Sequence, residues 1–330
     1  MDSQATTPTS TLFNIEEIHV ELSSKCTLKC PRCPRTELKP EFLNREISLE
    51  EFKTSFDSVL PLVKKLVFCG DVGDPIYAKD FLDIIRYVKA NSPARVSIVT
   101  NGSYKTVNWW VELGRILHST DQVTFSLDGW NQETNEQYRV NSDWASIEAG
   151  IRALRDNTRA KLNWSAIYFN FNEDYVNNTM MPMAKELGFD SFEIVRSSKF
   201  GAHYSVNGVD PLLPSPVHVS STSMYQKQKF HISKPFIHLV KRNTAAHEWA
   251  RCLRWEKELF INVDGLVFPC PWFNSGYQQN DFVQKYKDRM SIKTRTLQDI
   301  LDDPMWDEFI TRIELMPLDV CKIKCKDCRE

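Results

Sequence analysis

From residue 15 onward, short runs of apolar and β-branched residues alternate with longer segments whose apolar side chains recur at helical spacing. The runs at 17–22, 66–68, 96–100, 123–127, 164–169 and 192–195 read as strands. Segments near 48–60, 79–90, 106–117, 144–156 and 176–187 read as helices. Ser48 with Glu51 three residues on is a capping-box pair opening the first helix, and Gly188 stands where a helix C-terminal glycine belongs. Strands alternating with helices of this length build parallel βαβ units with right-handed crossovers. The expected fold class is α/β, a partial (β/α)6 TIM-like barrel.

Two regions break the alternation. Residues 197–250 are polar, proline-containing and irregular to about 233, with a helical pattern at 234–249, and read as a connector. After 250 the pattern Leu259–Val263, Asp264-Gly265, Leu266–Phe268 predicts a hairpin on a type I′ Asp-Gly turn. Helical segments near 296–302 and 305–316 follow. The expected division is a loose arm at 1–14, the barrel at 15–200, a connector at 201–250 and a small cysteine-rich domain at 251–330. So small a unit has little core, so a metal centre would supply much of its folding energy.

Composition changes this picture at one point, the cysteines. The 330 residues are 42% hydrophobic and 25% charged with net charge −2, ordinary for a globular chain and against a broad nucleic-acid footprint. No run approaches the roughly 18 apolar residues of a membrane span, and the polar start lacks a signal-peptide pattern, so a cytoplasmic protein is expected. Nine cysteines are many for a reducing compartment, where clusters serve metals more often than disulfides. Cys26, Cys30 and Cys33 stand at C-x3-C-x2-C spacing directly after the first strand; Cys252, Cys270, Cys321, Cys325 and Cys328 lie after residue 250. Three close thiolates can hold three corners of a [4Fe–4S] cube and leave one iron open.

Ligands of parallel α/β folds gather at the carboxyl ends of the strands. Here the first strand runs into the cysteine loop and the second into Cys69-Gly70-Asp71-Val72-Gly73-Asp74-Pro75. The third ends in Thr100-Asn101-Gly102 and the fourth in Ser126-Leu127-Asp128-Gly129. Any one of these loops could be a simple turn. As a set beside three cysteines they mark an active-site face.

These motifs together resemble the radical SAM superfamily, in the branch with a C-terminal SPASM or Twitch auxiliary-cluster domain. The resemblance covers about 17–196 and 252–328. It implies that Cys26, Cys30 and Cys33 bind a cluster whose open iron takes the amino and carboxylate groups of S-adenosylmethionine (SAM). It further implies that one electron, from a flavodoxin- or ferredoxin-type reductant, cleaves the sulfonium to a 5′-deoxyadenosyl radical that abstracts hydrogen from substrate. Gly70, Gly73 and Asp74 match the loop that meets the methionyl amine; Thr100, Asn101, Ser126 and Arg139 match the motifs ending the third and fourth strands. The serine and arginine of such motifs hold the carboxylate, which suits the planar fork of arginine. Two positions depart from the pattern: Arg32 stands where an aromatic that meets the adenine is common, and Asp74 where glutamate is usual.

The later cysteines fit a one-cluster Twitch pattern, Cys252, Cys270, Cys325 and Cys328, with Cys321 a fifth candidate; a four-cysteine zinc site is the alternative. The resemblance points to oxidation of a small molecule, since only 25 residues precede Cys26, too few for the leader-recognition domain of many peptide-modifying members. Radical modification of a peptide and a non-catalytic metal protein are the competing readings. Cys69 is read as a small buried residue, Asp128 as either a substrate contact or a turn residue. Glu193, Arg196 and His203 are candidates to face the cavity, while Trp109, Trp110, Trp249 and Trp272 are read as packing residues.

Overall fold

The computed structural model describes residues 15–38, 44–195, 197, 199–215, 228–231, 257–274 and 280–315. Six parallel strands form in chain order: β1 (Ile15–Val20), β2 (Lys65–Phe68), β3 (Arg95–Thr100), β4 (Gln122–Ser126), β5 (Lys161–Ile167) and β6 (Ser191–Val195). Between them lie α1 (Pro34–Leu38), α2 (Leu49–Phe56), α3 (Phe81–Asn91), α4 (Val107–Ile116), α5 (Gln132–Glu136), α6 (Trp144–Asn157) and α7 (Met181–Glu186). The sheet is an open, partial barrel, as the alternation predicts. The capping box at Ser48 forms in full: Ser48 Oγ accepts from the Glu51 amide, and the Glu51 carboxylate accepts from the Ser48 amide.

Three further strands extend the sheet beyond those six. Within the stretch read as an irregular connector, β7 (Gln228–His231) pairs antiparallel with β6. The 234–249 pattern lies outside the described residues. The predicted hairpin is β8 (Lys257–Ile261) and β9 (Val267–Phe268), and β8 runs parallel to β1 with Ile18 opposite Leu259. The full order is β7-β6-β5-β4-β3-β2-β1-β8-β9. The hairpin thus covers the β1 edge, which would otherwise present unpaired amides. Its turn is not type I′, because only Gly265 has positive φ (78°). Asn262 dictates the difference: its side-chain oxygen accepts from the amides of Asp264 and Leu266, and its carbonyl from Gly265. Three short helices, α8 (Asp281–Tyr286), α9 (Leu297–Leu301) and α10 (Met305–Leu315), close the described part.

Strand alternation sorts side chains to two faces. Ile18, Val20, Leu66, Phe68, Val96, Ile98, Val123, Phe125, Leu162, Trp164 and Phe192 face the helices and are buried. Aromatic contacts run across this layer, from the stacked Phe52–Phe56 pair (centroids 4.3 Å apart) through Phe68, Phe81, Trp109, Trp110 and Phe125 to Phe189 and Trp164. Trp109 and Trp110 therefore pack as expected, whereas Trp272 is 44% exposed and Trp249 lies outside the described residues. The opposite, inner face is polar: Glu17, His19, Ser97, Gln122, Thr124, Asn163, Ser165 and Glu193. At the amino end of the strands, Glu17 bonds both His19 (2.8 Å) and Lys65 (3.0 Å), filling that end with paired charge.

Candidate radical site at the carboxyl ends of the strands

The loop after β1 is fixed before any ligand is considered. Gly73 lies so close to Ser23 that a Cβ on it would come 1.8 Å from the Ser23 carbonyl, and a Cβ on Gly70 would meet the Gly73 carbonyl at 2.1 Å. Gly70 lets the β2 loop fold tightly on itself and Gly73 lets it pack backbone to backbone on the β1 loop, where the Asp74 amide donates to the Lys25 carbonyl (2.9 Å). Glu21, 1% exposed, joins the same loops: its carboxylate accepts from the amides of Asp71 (2.8 Å), Val72 (2.7 Å) and Val263 (3.2 Å). Burial pushes Glu21 up to about 7. Glu21 is invisible in the motif pattern, since its partners are backbone amides of loops far apart in sequence.

Asp74 sits at the centre of one half of the site. Its carboxylate accepts from Thr100 Oγ1 (3.0 Å), the Asn101 amide (2.7 Å), Asn101 Nδ2 (2.6 Å) and the Ile76 amide (3.2 Å). Burial, partly offset by these bonds, pushes Asp74 up to about 6. Asn101 Nδ2 also reaches the Cys26 sulfur at 3.6 Å, so the β2 and β3 loops converge on the first cysteine. Tyr77 steadies this corner, its hydroxyl paired with Thr27 Oγ1 (2.9 Å) and donating to the Ser103 carbonyl.

Arg139 organises the other half. Its Nε donates to Asp128 Oδ2 (2.6 Å), and its positive charge acts on the neighbouring Cys30 thiol. Asp128 is fully buried and also accepts from the Ile167 amide (2.6 Å), while Asn172 Nδ2 holds its carbonyl (2.9 Å). Of its two expected roles, Asp128 thus takes neither alone: it anchors Arg139. Ser126 ends β4 beside Ser165 of β5.

The three thiols share one pocket with Leu28, Tyr138 and Phe169. Burial pushes Cys26 up to about 12 and Cys30 to about 11, and raises Cys33, whose carbonyl accepts from the Thr36 amide (2.9 Å). Arg139 pulls Cys30, and Lys199 with Arg139 pulls Cys33, the other way, toward the thiolate a metal needs. Among the described residues, no three His, Cys, Asp or Glu side chains converge as the ligands of a single ion do. A cube takes one thiolate at each corner, so three cysteines would hold three of its irons. Soft donors, two cationic neighbours and an amide N–H aimed at a sulfur fit an iron–sulfur cluster.

Other expected positions fall elsewhere. Cys69 lies on the inner face, its sulfur 3.9 Å from His19 Nδ1, and burial pushes its thiol up to about 12. Glu193 is buried on β6 beside Ser165, but His203 is exposed, edge-on to Tyr204, and does not face the site. Arg196, Cys252, Cys321, Cys325 and Cys328 lie outside the described residues; Cys270 follows β9, packed against the core. Motif reading missed Lys199 and Asp210, which reach the cysteine loop from the stretch read as a connector.

Three cysteines, a buried acid and a half-buried arginine at the carboxyl ends of a parallel sheet are the donor set an iron–sulfur enzyme would use. Comparison with known proteins gives the chain a family. The radical SAM superfamily model matches residues 20–180, and the SPASM model, an iron–sulfur cluster-binding domain, matches 252–329. The chain belongs to the radical SAM superfamily, with a C-terminal SPASM domain, and its cofactors are a SAM-binding [4Fe–4S] cluster and auxiliary iron–sulfur. The tungsten-containing aldehyde ferredoxin oxidoreductase cofactor-modifying protein of Pyrococcus furiosus is 28% identical over 112 residues, 34% of this chain; the chain spans only 30% of that relative's length. SuiB of Streptococcus suis bound to S-adenosylmethionine aligns over 94% of this chain and 72% of its own (TM-score 0.61, 14% identity). Native anSMEcpe with bound AdoMet and the Cp18Cys peptide aligns over 94% and 86% (TM-score 0.54, 16% identity). At these identities the likeness is one of fold. Among the described residues no helix is long and apolar enough to cross a membrane.

Proposed function

We propose that Cys26, Cys30 and Cys33 hold three irons of the first cluster, and that Gly70, Gly73, Asp74, Thr100, Asn101, Ser126 and Arg139 frame the SAM on its open iron. The observation that carries this reading is the convergence of Asn101 on Cys26 and Arg139 on Cys30 from two separate strand ends. When bound, the cluster and SAM supply one-electron cleavage of the sulfonium and a 5′-deoxyadenosyl radical. The residues of the chain orient and protect. Arg139 offsets the negative charge of three thiolates and is itself kept charged by Asp128. Asp74 holds the Asn101 amide against Cys26, where a hydrogen bond to sulfur tunes the cluster. Leu28, Tyr138 and Phe169 exclude water beside the sulfurs.

The finer reading is oxidation of a small polar molecule that loses a hydrogen atom at the inner face, with a flavodoxin- or ferredoxin-type reductant in the cytoplasm. Ser97, Thr124 and Asn163, each under 10% exposed on that face, support a polar substrate. Removal of a second electron requires an acceptor, and Cys252, Cys270, Cys325 and Cys328, with Cys321 in reserve, are the residues that would hold one auxiliary [4Fe–4S] cluster. A peptide substrate is the second reading, favoured by the fold shared with anSMEcpe, solved with a peptide bound.

Anaerobic reconstitution tests the proposal. The expected result is about eight irons per chain and 5′-deoxyadenosine released from SAM under reductant. Cys30→Ala abolishes that release, while Cys270→Ala leaves uncoupled cleavage without substrate turnover. Stoichiometric zinc without SAM cleavage, or normal release from Cys30→Ala, overturns it. Screening for substrate-dependent 5′-deoxyadenosine with polar metabolites against peptides separates the two substrate readings.

A further inference from the structure

Arg32 lies between two of the motif cysteines, at the position where an aromatic that meets the adenine is common. Instead it is 4% exposed and wholly engaged by residues 199–212. Its guanidinium forms an ion pair with Asp210 and donates to the Lys199 carbonyl. The rings of Phe200 and Tyr204 lie against it, centroids 4.9 and 4.5 Å from its central carbon. The grip is reciprocal. Lys199 Nζ donates to the Arg32 carbonyl (2.7 Å), and the Tyr204 hydroxyl donates to Glu37 Oε1 of α1 (3.0 Å). Asp210 also closes the segment on itself, accepting from the amides of Gly201 and Leu212, both at 3.0 Å. Phe200 and Leu212 then pack against the cluster formed by Leu28, Cys30, Tyr138 and Phe169.

We propose that Arg32 is a positioning residue: it latches residues 199–212 across the cysteine loop, making that segment a fixed wall of the pocket that holds the three sulfurs. An aromatic residue at position 32 could not do this, because Asp210, buried at 6% exposure, would lose its cation. The cost of an unpaired buried charge explains why the arginine and the aspartate belong together. With the Phe200 and Tyr204 rings against its guanidinium and its two terminal nitrogens bound to Lys199 and Asp210, Arg32 is turned to this segment, so the adenine contact falls to other residues.

The latch itself is a property of the chain; its protective consequence rests on the first cluster being held by Cys26, Cys30 and Cys33. Hydrogen exchange on the anaerobically reconstituted full chain tests the first, and bleaching of the cluster's visible absorbance in air tests the second. In Arg32→Gln and in Asp210→Asn, amides of 199–212 exchange about tenfold faster or more, while those of β3 and β4 keep their protection. Arg32→Lys, which keeps the charge but not the fork, recovers part of the protection. Air bleaching quickens severalfold in the first two variants. If Arg32→Gln loosens β3 and β4 equally, Asp210→Asn, outside the cysteine motif, decides. Exchange within about twofold of wild type across 199–212 in Asp210→Asn overturns the latch. A wild-type chain that takes up no cluster would instead sink the cluster assignment and leave the exchange result standing.

Discussion

Asp74 and Asp128 follow the second and fourth strands of one parallel sheet, and both are almost wholly buried. They are satisfied in opposite ways. Asp74 takes four hydrogen bonds from neutral donors and is pushed up to about 6. Asp128 takes a guanidinium, and the pair it forms keeps Arg139 charged beside Cys30. The Cys26 side of the pocket therefore presents a carboxylate held by neutral donors, and the Cys30 side a cation. Topology puts both acids at the carboxyl ends of strands, but only their neighbours decide whether the end presents hydrogen bonds or charge.

The contrast can be broken most severely at Asp128. Asp128→Ala leaves Arg139 buried without its partner, and a loss of about 3–5 kcal/mol in urea unfolding is expected. Asp128→Leu combined with Arg139→Met should recover most of that loss. A single-variant cost below about 1 kcal/mol would mean that the pair is solvated and the two acids are not different in kind.

Glu21 extends the neutral side of the comparison, since it too is held by amides alone. Its folded value of about 7 lies above the ordinary 4.5, so the folded chain binds more protons than the unfolded chain between those values. Stability from this group therefore falls as pH rises from about 4.5 to about 7. Relative to Glu21→Gln, which does not titrate, wild type should lose on the order of 3 kcal/mol at most across that window. A pH-independent difference would show that the three amides fully stabilise the anion. Asp74→Asn, which turns an acceptor into a donor facing Asn101, should cost about 1–3 kcal/mol and weaken SAM binding measured by titration of the reconstituted chain. The smallest effect is expected far from the site: Ser48→Ala removes one cap and about 1 kcal/mol, with SAM cleavage unchanged.

Much of the site was legible because its signals are local. Cysteines within eight residues, an Asp-Pro after a glycine pair and an Asn-Gly after a strand each carry their meaning in their own spacing. Arg139 was found through its motif, but its anchor Asp128 remained ambiguous, since a turn aspartate and a buried counter-ion look alike in one dimension. The polar stretch after β6 looked like a connector because its order comes from a distant arginine, 178 residues from Asp210. The hairpin was legible, but not its turn geometry, since the Asn262 side chain competes for the amides that a type I′ turn leaves free.

The sequence by itself determined the alternation of strands and helices, the cap at Ser48 and the cysteine spacing, because each rests on neighbours within a few residues. Only the tertiary structure decided that β8 joins β1, that β7 extends β6, and that Arg32 belongs to Asp210. Those contacts answer to burial: an open strand edge and a buried charge each need a partner, and the folded chain supplies it from wherever packing brings one close.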